Sequence, residues 1–244
     1  MPGVIVKNVR RLIGAPVARH PLKWGRRASM IPAIGLVGAG SRPGRGQVDQ
    51  AHRWRRVRLE SCAVGDPLYP GELERDVILK EGTRLRLRPI RPEDAPRLID
   101  FYDRLSQHTA YQRFFTIMKR LPPDWARLLA TVDYQRRLAI VAEAGPAAAP
   151  ELVAVARYEP TDEPETAEVA FVVQDGFQGR GLGVLLLHHL LDAGYARGIR
   201  RFRAYVLADN ARMLDLIARF TLIRERSLDA GVASLLFERL PVAD

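Results

Sequence analysis

An α/β fold around a mixed, mostly antiparallel sheet flanked by helices is predicted for residues 81–244, behind a basic and poorly ordered extension over residues 1–80. Three observations predict it. From Thr83 onward, apolar residues switch between a helical period near 3.6 and a strand period of 2. Three strand-like runs then follow one another through short, turn-rich links, which is the pattern of an antiparallel meander. A glycine-rich turn finally separates the last of those strands from a strongly apolar helix.

Taken in order, residues 1–80 hold no sustained period, because Gly, Pro and Arg interrupt every short apolar run. "TRLRLRPI" (83–90) alternates Leu85 and Leu87 with arginines, as a half-buried strand does. "RPEDAPRLIDFYDRL" (91–105) carries Pro92 at a helix start, with Glu93 and Asp94 in the first turn where the helix dipole favours carboxylates. Leu98, Phe101, Tyr102 and Leu105 then repeat at i, i+3, i+4 and i+7. "QHTAYQRFFTIMKRL" (107–121) reads as a second helix stopped by Pro122 and Pro123, and "DWARLLATV" (124–132) as a restart capped by Asp124. Strands are expected at 137–144, 151–159 and 167–175, and a helix from about Gly181 to Arg197. Strand 201–207, helix 210–220 with a core stripe of Met213, Leu216, Ile217 and Phe220, and strands near 222–226 and 233–239 complete the order β-α-α-β-β-β-α-β-α-β-β.

Composition narrows the function classes. The chain of 244 residues is 47% hydrophobic, enough for one good core or two small ones. No apolar run approaches the roughly 20 residues of a membrane span, since "MIPAIGLVGAG" (30–40) is broken by Gly and Pro. The single cysteine, Cys62, supports neither an internal disulfide nor a zinc site, so a reducing, cytoplasmic setting without a metal is expected. The formal charge of +10 suggests a nucleic-acid partner until its distribution is read: residues 1–48 hold nine Lys or Arg and no acid, which leaves 29 bases against 28 acids in the remainder. Nucleic acid is therefore expected only as a weak contact of the basic extension. Within that extension a targeting segment, a twin-arginine signal at "RRASMIPAIGLVGAG" (26–40) and a polyanion-binding arm compete with the preferred plain reading, a translation start placed too far upstream. "GLVGAGSRPG" (35–44) imitates a dinucleotide fingerprint but misplaces the third glycine and sets Pro43 in the expected helix, and "RWRRVR" (53–58) reads as a solvated charge run.

The informative stretch is "QDGFQGRGLG" (174–183), with Gly179, Gly181 and Gly183 at alternate positions beside Arg180. A strand running through glycines into a helix start leaves backbone N–H groups aimed outward where the dipole favours an anion, which makes a phosphate cradle. Glycine lets that backbone approach a pyrophosphate, and Arg180 adds charge at the edge. The spacing is neither that of a P-loop nor, with Val184 in the third glycine's place, that of a dinucleotide fold. A bare turn is the alternative for the loop taken alone.

Gln178-Gly179-Arg180-Gly181-Leu182-Gly183 resembles the Q/R-x-x-G-x-G/A element of the GNAT acetyltransferase superfamily. The likeness runs from about Arg84 to Leu240 and extends to "AEVAFVV" before the loop and "LADNARMLDL" after the next strand. "LRPIRPEDAPRL", "RLSQHTAYQRFF" and "AEVAFVVQDGFQGRGLG" are more narrowly similar to bacterial protein lysine acetyltransferase domains. The resemblance implies the GNAT fold, acetyl-CoA as acyl donor, and an amine acceptor, with a protein lysine preferred over a small-molecule amine or a protein N-terminus. A non-catalytic acyl-CoA-binding regulatory module is the rival from another class.

The resemblance also implies site residues. Phe171, Val172 and Val173 map to the strand whose backbone meets pantetheine and thioester; Gln178, Gly179, Arg180, Gly181, Leu182, Gly183 and Val184 map to the phosphate loop, and Asn210 to the CoA arm. Glu168 matches the general base of the lysine acetyltransferase group, and partial burial there would raise its pKa toward about 6 to 7. A solvated strand carboxylate is its alternative. Asp175 and Asp209 read as loop and cap residues. No Tyr, His or Cys follows Tyr205, so the thiolate is expected to leave without a dedicated acid, Tyr205 being the alternative donor. His188 and His189, adjacent on a helix, point about 100° apart, so one is expected packed and the other exposed. Thr221 stands where the family usually has glycine.

Overall fold

The computed structural model describes residues 69–241. Cys62, the twin-arginine stretch, the imitation fingerprint and "RWRRVR" lie outside the described residues. In chain order the elements are β1 (Arg75–Ile78), β2 (Arg84–Pro89), α1 (Ala95–Asp103), α2 (Gln107–Phe114), α3 (Pro123–Ala130), β3 (Leu138–Ala144), β4 (Glu151–Pro160), β5 (Thr166–Val173), α4 (Leu182–Ala196), β6 (Arg201–Leu207), α5 (Ala211–Phe220), β7 (Thr221–Asp229) and β8 (Val232–Arg239). The strands make one sheet in the order β1-β2-β3-β4-β5-β6-β8-β7. Every pairing is antiparallel except that of β5 with β6.

The sheet is covered on both faces. Arg157 of β4 reaches Leu129 O of α3 at 3.2 Å, so its face of the sheet lies under α1–α3. Phe202 of β6 projects to the other face, where its ring packs so tightly on Gly194 of α4 that an added Cβ would lie 3.0 Å from it. Leu182, Leu186, Leu187, Leu190 and Leu191 of α4 are fully buried there. Each contributes about 2 kcal/mol on removal from water.

A buried charge cluster fixes where α1 begins. Arg88 grips Asp94 bidentately at 2.7 Å and 2.7 Å and reaches Glu143 of β3 at 2.7 Å, while Arg97 reaches the same two carboxylates at 2.9 Å and 2.7 Å. Asp94 also accepts the Arg91 N–H at 2.8 Å. Burial alone would raise the pKa of Asp94 and Glu143, but the Arg88 and Arg97 guanidinium groups outweigh it and hold both below the usual carboxylate range.

Four expectations are corrected. The second helix stops at Phe114, because Phe115 turns left-handed (φ 53°) and returns its N–H to Tyr111 O, so residues 115–121 run without regular structure. Asp124 does not cap α3; Pro122 occupies that position and Asp124 sits inside the first turn, paired with Arg127. Residues 71–78, assigned to the extension, form a 3-10 turn and the edge strand β1, with Leu73 and Leu79 buried beside it. The last two strands are longer than expected, because β7 and β8 pair from Thr221↔Arg239 to Asp229↔Val232. Thr221 is extended (φ −142°) and donates to Ile217 O at 2.6 Å, so α5 passes into β7 without a turn that would require glycine.

Candidate active site

The parallel pair is short. β5 meets β6 only at Thr166↔Arg201, Ala167↔Phe202 and Glu168↔Arg203, whereas its pairing with β4 continues to Val173↔Ala154. Beyond Glu168 the sheet forks, and the fork opens into a cleft of about 1670 Å³. Gln174 N–H donates to Val153 O on β4, so strand alternation turns the backbone groups of Val169, Phe171 and Val173 toward the fork. Val172 therefore offers the cleft its side chain and gives its backbone to β4, which separates it from its two predicted companions.

The glycine loop closes one end of this cleft. Gly179 (φ 75°) and Gly181 (φ 89°) are left-handed and line it, with open space where a Cβ would stand. Their conformation, and not their surroundings, demands glycine. Gly183 is different: its φ is ordinary and a Cβ would touch Leu216 Cδ2 at 3.6 Å, so its smallness serves helix packing. Gly181 is the N-cap of α4 without a side-chain cap, so the amides of Leu182 and Gly183 have no intrahelical acceptor. Arg180 borders the loop, 5.5 Å from the Phe177 ring and 3.3 Å from Glu81. Of the predicted loop residues, only the Leu182 side chain leaves the cleft, for the core.

Gln178 ties the loop down. Its amide donates to Val173 O (2.9 Å) and Thr109 Oγ1 (3.1 Å) and accepts from Arg212 (3.1 Å). Asp175 adds a clasp to α2, accepting the Ser106 N–H (2.9 Å), Ser106 Oγ–H (2.7 Å) and Thr109 Oγ1–H (2.8 Å). Burial opposes the Asp175 charge, but these donors prevail and lower its pKa. Asn210 caps α5 by accepting the Met213 N–H at 3.1 Å while lining the cleft.

Glu168 sits half-buried at the fork itself, across from Glu159 on β4 and Arg203 on β6. It lines the cleft together with Tyr205 and with His108, Gln112 and Arg113 of α2. Sequence reasoning missed the α2 residues, the Lys80–Glu81 turn and Arg212 and Arg219 of α5. Arg212 and Arg219 flank the Asn210 motif and were findable from it; the turn lies about a hundred residues upstream and carried no local signal. His188 is exposed against Phe220 at 5.6 Å, and His189 is buried with Nε2 2.7 Å from Leu73 O, its pKa lowered by burial. Among the described residues no group of three potential metal ligands forms, and no helix is long and apolar enough to cross a membrane.

Comparison with known proteins reaches the same region. The family model described as Acetyltransferase (GNAT) matches residues 100–221. An acetyltransferase of Pseudomonas aeruginosa is 32% identical over 151 residues, covering 62% of this chain and 81% of its own. Acetyltransferase Pat of Mycolicibacterium smegmatis is 31% identical over 242 residues, 95% of this chain, which spans 66% of that relative's length. The crystal structure of the GNAT domain of S. lividans PAT superposes with a TM-score of 0.64 at 36% identity, covering 70% of this chain and 99% of that one.

Proposed function

The chain belongs to the GNAT acetyltransferase family, and from that premise we propose that it moves an acetyl group from acetyl-CoA to the side-chain amine of a protein lysine. The observation that carries the reading is the fork: strand backbone that β6 leaves unpaired, a left-handed glycine loop and a half-buried carboxylate line one cleft. The loop amides and Arg180 would take the pyrophosphate, with Lys80 and Arg212 in reach of the same rim. Phe171 and Val173 would meet the pantetheine amides and offer an N–H to the carbonyl oxygen as charge develops on it. Glu168 would receive the proton from the attacking amine as the C–N bond forms and the C–S bond breaks. The thiolate, with a thiol pKa near 8.5, is a competent leaving group without a dedicated acid, although Tyr205 lines the same cleft. The lysine acceptor is supported by the likeness of "RLSQHTAYQRFF" on α2 to protein lysine acetyltransferase domains.

The test is transfer of label from acetyl-CoA to lysate proteins by the full chain and its Glu168→Gln variant. Loss of a general base is expected to slow labelling of lysines by about 10²–10⁴-fold with acetyl-CoA affinity retained. Labelling confined to N-termini or small amines would move the acceptor class, and acetyl-CoA binding without transfer to any amine would make the protein a regulatory module.

A further inference from the structure

We propose that Arg113 is the positioning residue of the proton-transfer step: its charge, facing the fork from α2, keeps Glu168 ionised and keeps an incoming amine in its neutral form. This rests on the reading of Glu168 as the base. Three observations carry it.

The first is place. Arg113 and Glu168 line the same cleft from different elements, and Arg113 lies one helical turn after Thr109, whose hydroxyl is pinned by Asp175 and Gln178. Arg113 also borders a narrow gap with Leu105, Leu129, Val155 and Val172, and its guanidinium lies 4.9 Å from the Phe114 ring centroid. Arg113 thus stands between the cleft and that gap.

The second is charge balance. Arg113 of α2 acts electrostatically on Glu168, with Arg157 and Glu159 of β4 in the same set, while Glu159 and Arg203 of β6 stand opposite Glu168 in register and His108 and Tyr205 line the cleft with it. Arg157 is bound to Glu159, which Arg137 also reaches at 2.6 Å, and Arg203 is bound to both oxygens of Glu163 at 3.0 Å and 3.3 Å. Arg113, by contrast, interacts electrostatically with Glu168 itself, and with Glu159 after it. Of these cations, Arg113 is the one that lines the cleft together with Glu168.

The third is desolvation. Burial and the like charge of Arg157 push the Arg113 pKa down to about 10, while Glu168 and Glu159 pull it upward. Arg113 still carries its proton at neutral pH, in surroundings where a charge acts more strongly than in water. A cation beside a carboxylate favours its ionised form, and a cation beside an amine disfavours the ammonium. Both effects lower the pH at which base and nucleophile are ready together.

The experiment reads the initial rate of label transfer from acetyl-CoA to lysate protein across the acid and neutral range. Arg113→Gln and Arg113→Met, the second keeping an apolar stem, are expected to move the acid limb upward by about one pH unit. Arg113→Lys is expected to return it toward the parent. Variants with parental circular dichroism and acetyl-CoA affinity but an unmoved acid limb would overturn the proposal. A Glu168→Gln protein that keeps the parental rate would instead overturn the reading beneath it, whatever Arg113 does.

Discussion

Gly179 and Gly181 hold φ angles of 75° and 89°, which an L side chain adopts only at a cost of roughly 1–2 kcal/mol. Gly183 holds none of that strain. Gly181→Ala is therefore expected to weaken acetyl-CoA binding by about tenfold in calorimetry, at 1.4 kcal/mol per decade. Gly183→Ala, whose Cβ meets Leu216 in ordinary contact, should bind like the parent. An unchanged affinity for Gly181→Ala would mean that the loop tolerates another geometry. The spacing of the three glycines was legible in the sequence, but their division of labour was not, since φ and the nearness of Leu216 are set by tertiary packing. The same holds at the fork. Glu168 stood out as a charge in an apolar strand, while Arg113 read as one arginine among many until α2 was laid against β5.

Among the elements, α1 is anchored by carboxylates that cannot be left alone. Removing Arg88 by Arg88→Met leaves Asp94 and Glu143, 3% and 7% exposed, to Arg97 and, for Asp94, the Arg91 N–H. A loss of about 3 kcal/mol is expected in denaturant unfolding, the low end for a broken buried pair. The pH dependence has a definite sign. Both carboxylates have lowered pKa values in the folded chain, so their contribution is complete above the unfolded value near 4 and disappears as pH falls through the folded ones. Acid unfolding of the parent should begin below about pH 4, and an Arg88→Met protein that unfolds like the parent at neutral pH would remove the cluster from this role. Helix α1 was readable to within a turn from Pro92, Glu93 and Asp94, which form a 3-10 turn just ahead of it, because helix-start chemistry is local. The end of α2 was not, because "FTIMKRL" keeps a helical spacing of apolar residues that the left-handed Phe115 breaks.

For the whole molecule, the boundary of the fold lies upstream of where periodicity places it. A chain beginning at residue 81 loses β1, the buried Leu73 and Leu79, and the carbonyl that meets His189. The two leucines alone represent about 4 kcal/mol of burial, so thermal unfolding should occur well below that of a chain beginning at residue 69. Equal melting temperatures would show β1 to be dispensable. Strand β1 escaped the sequence because four residues, "RDVI", show no alternation long enough to count, and three of the four are exposed. The meander β3–β4–β5 was legible because consecutive strands joined by short links pair with their neighbours; the β5–β6 pairing was not, because α4 separates them in sequence. That pairing ends after three residues, and it leaves an unpaired sheet edge inside the protein. Edges at the periphery invite other sheets and are usually defended against them. This edge is recessed between α2 and α5 and lines a cleft instead; on the function proposed above, a slender, extended molecule bearing amide groups at strand-like intervals would complete it, so that shape would select the guest before any side chain reads it.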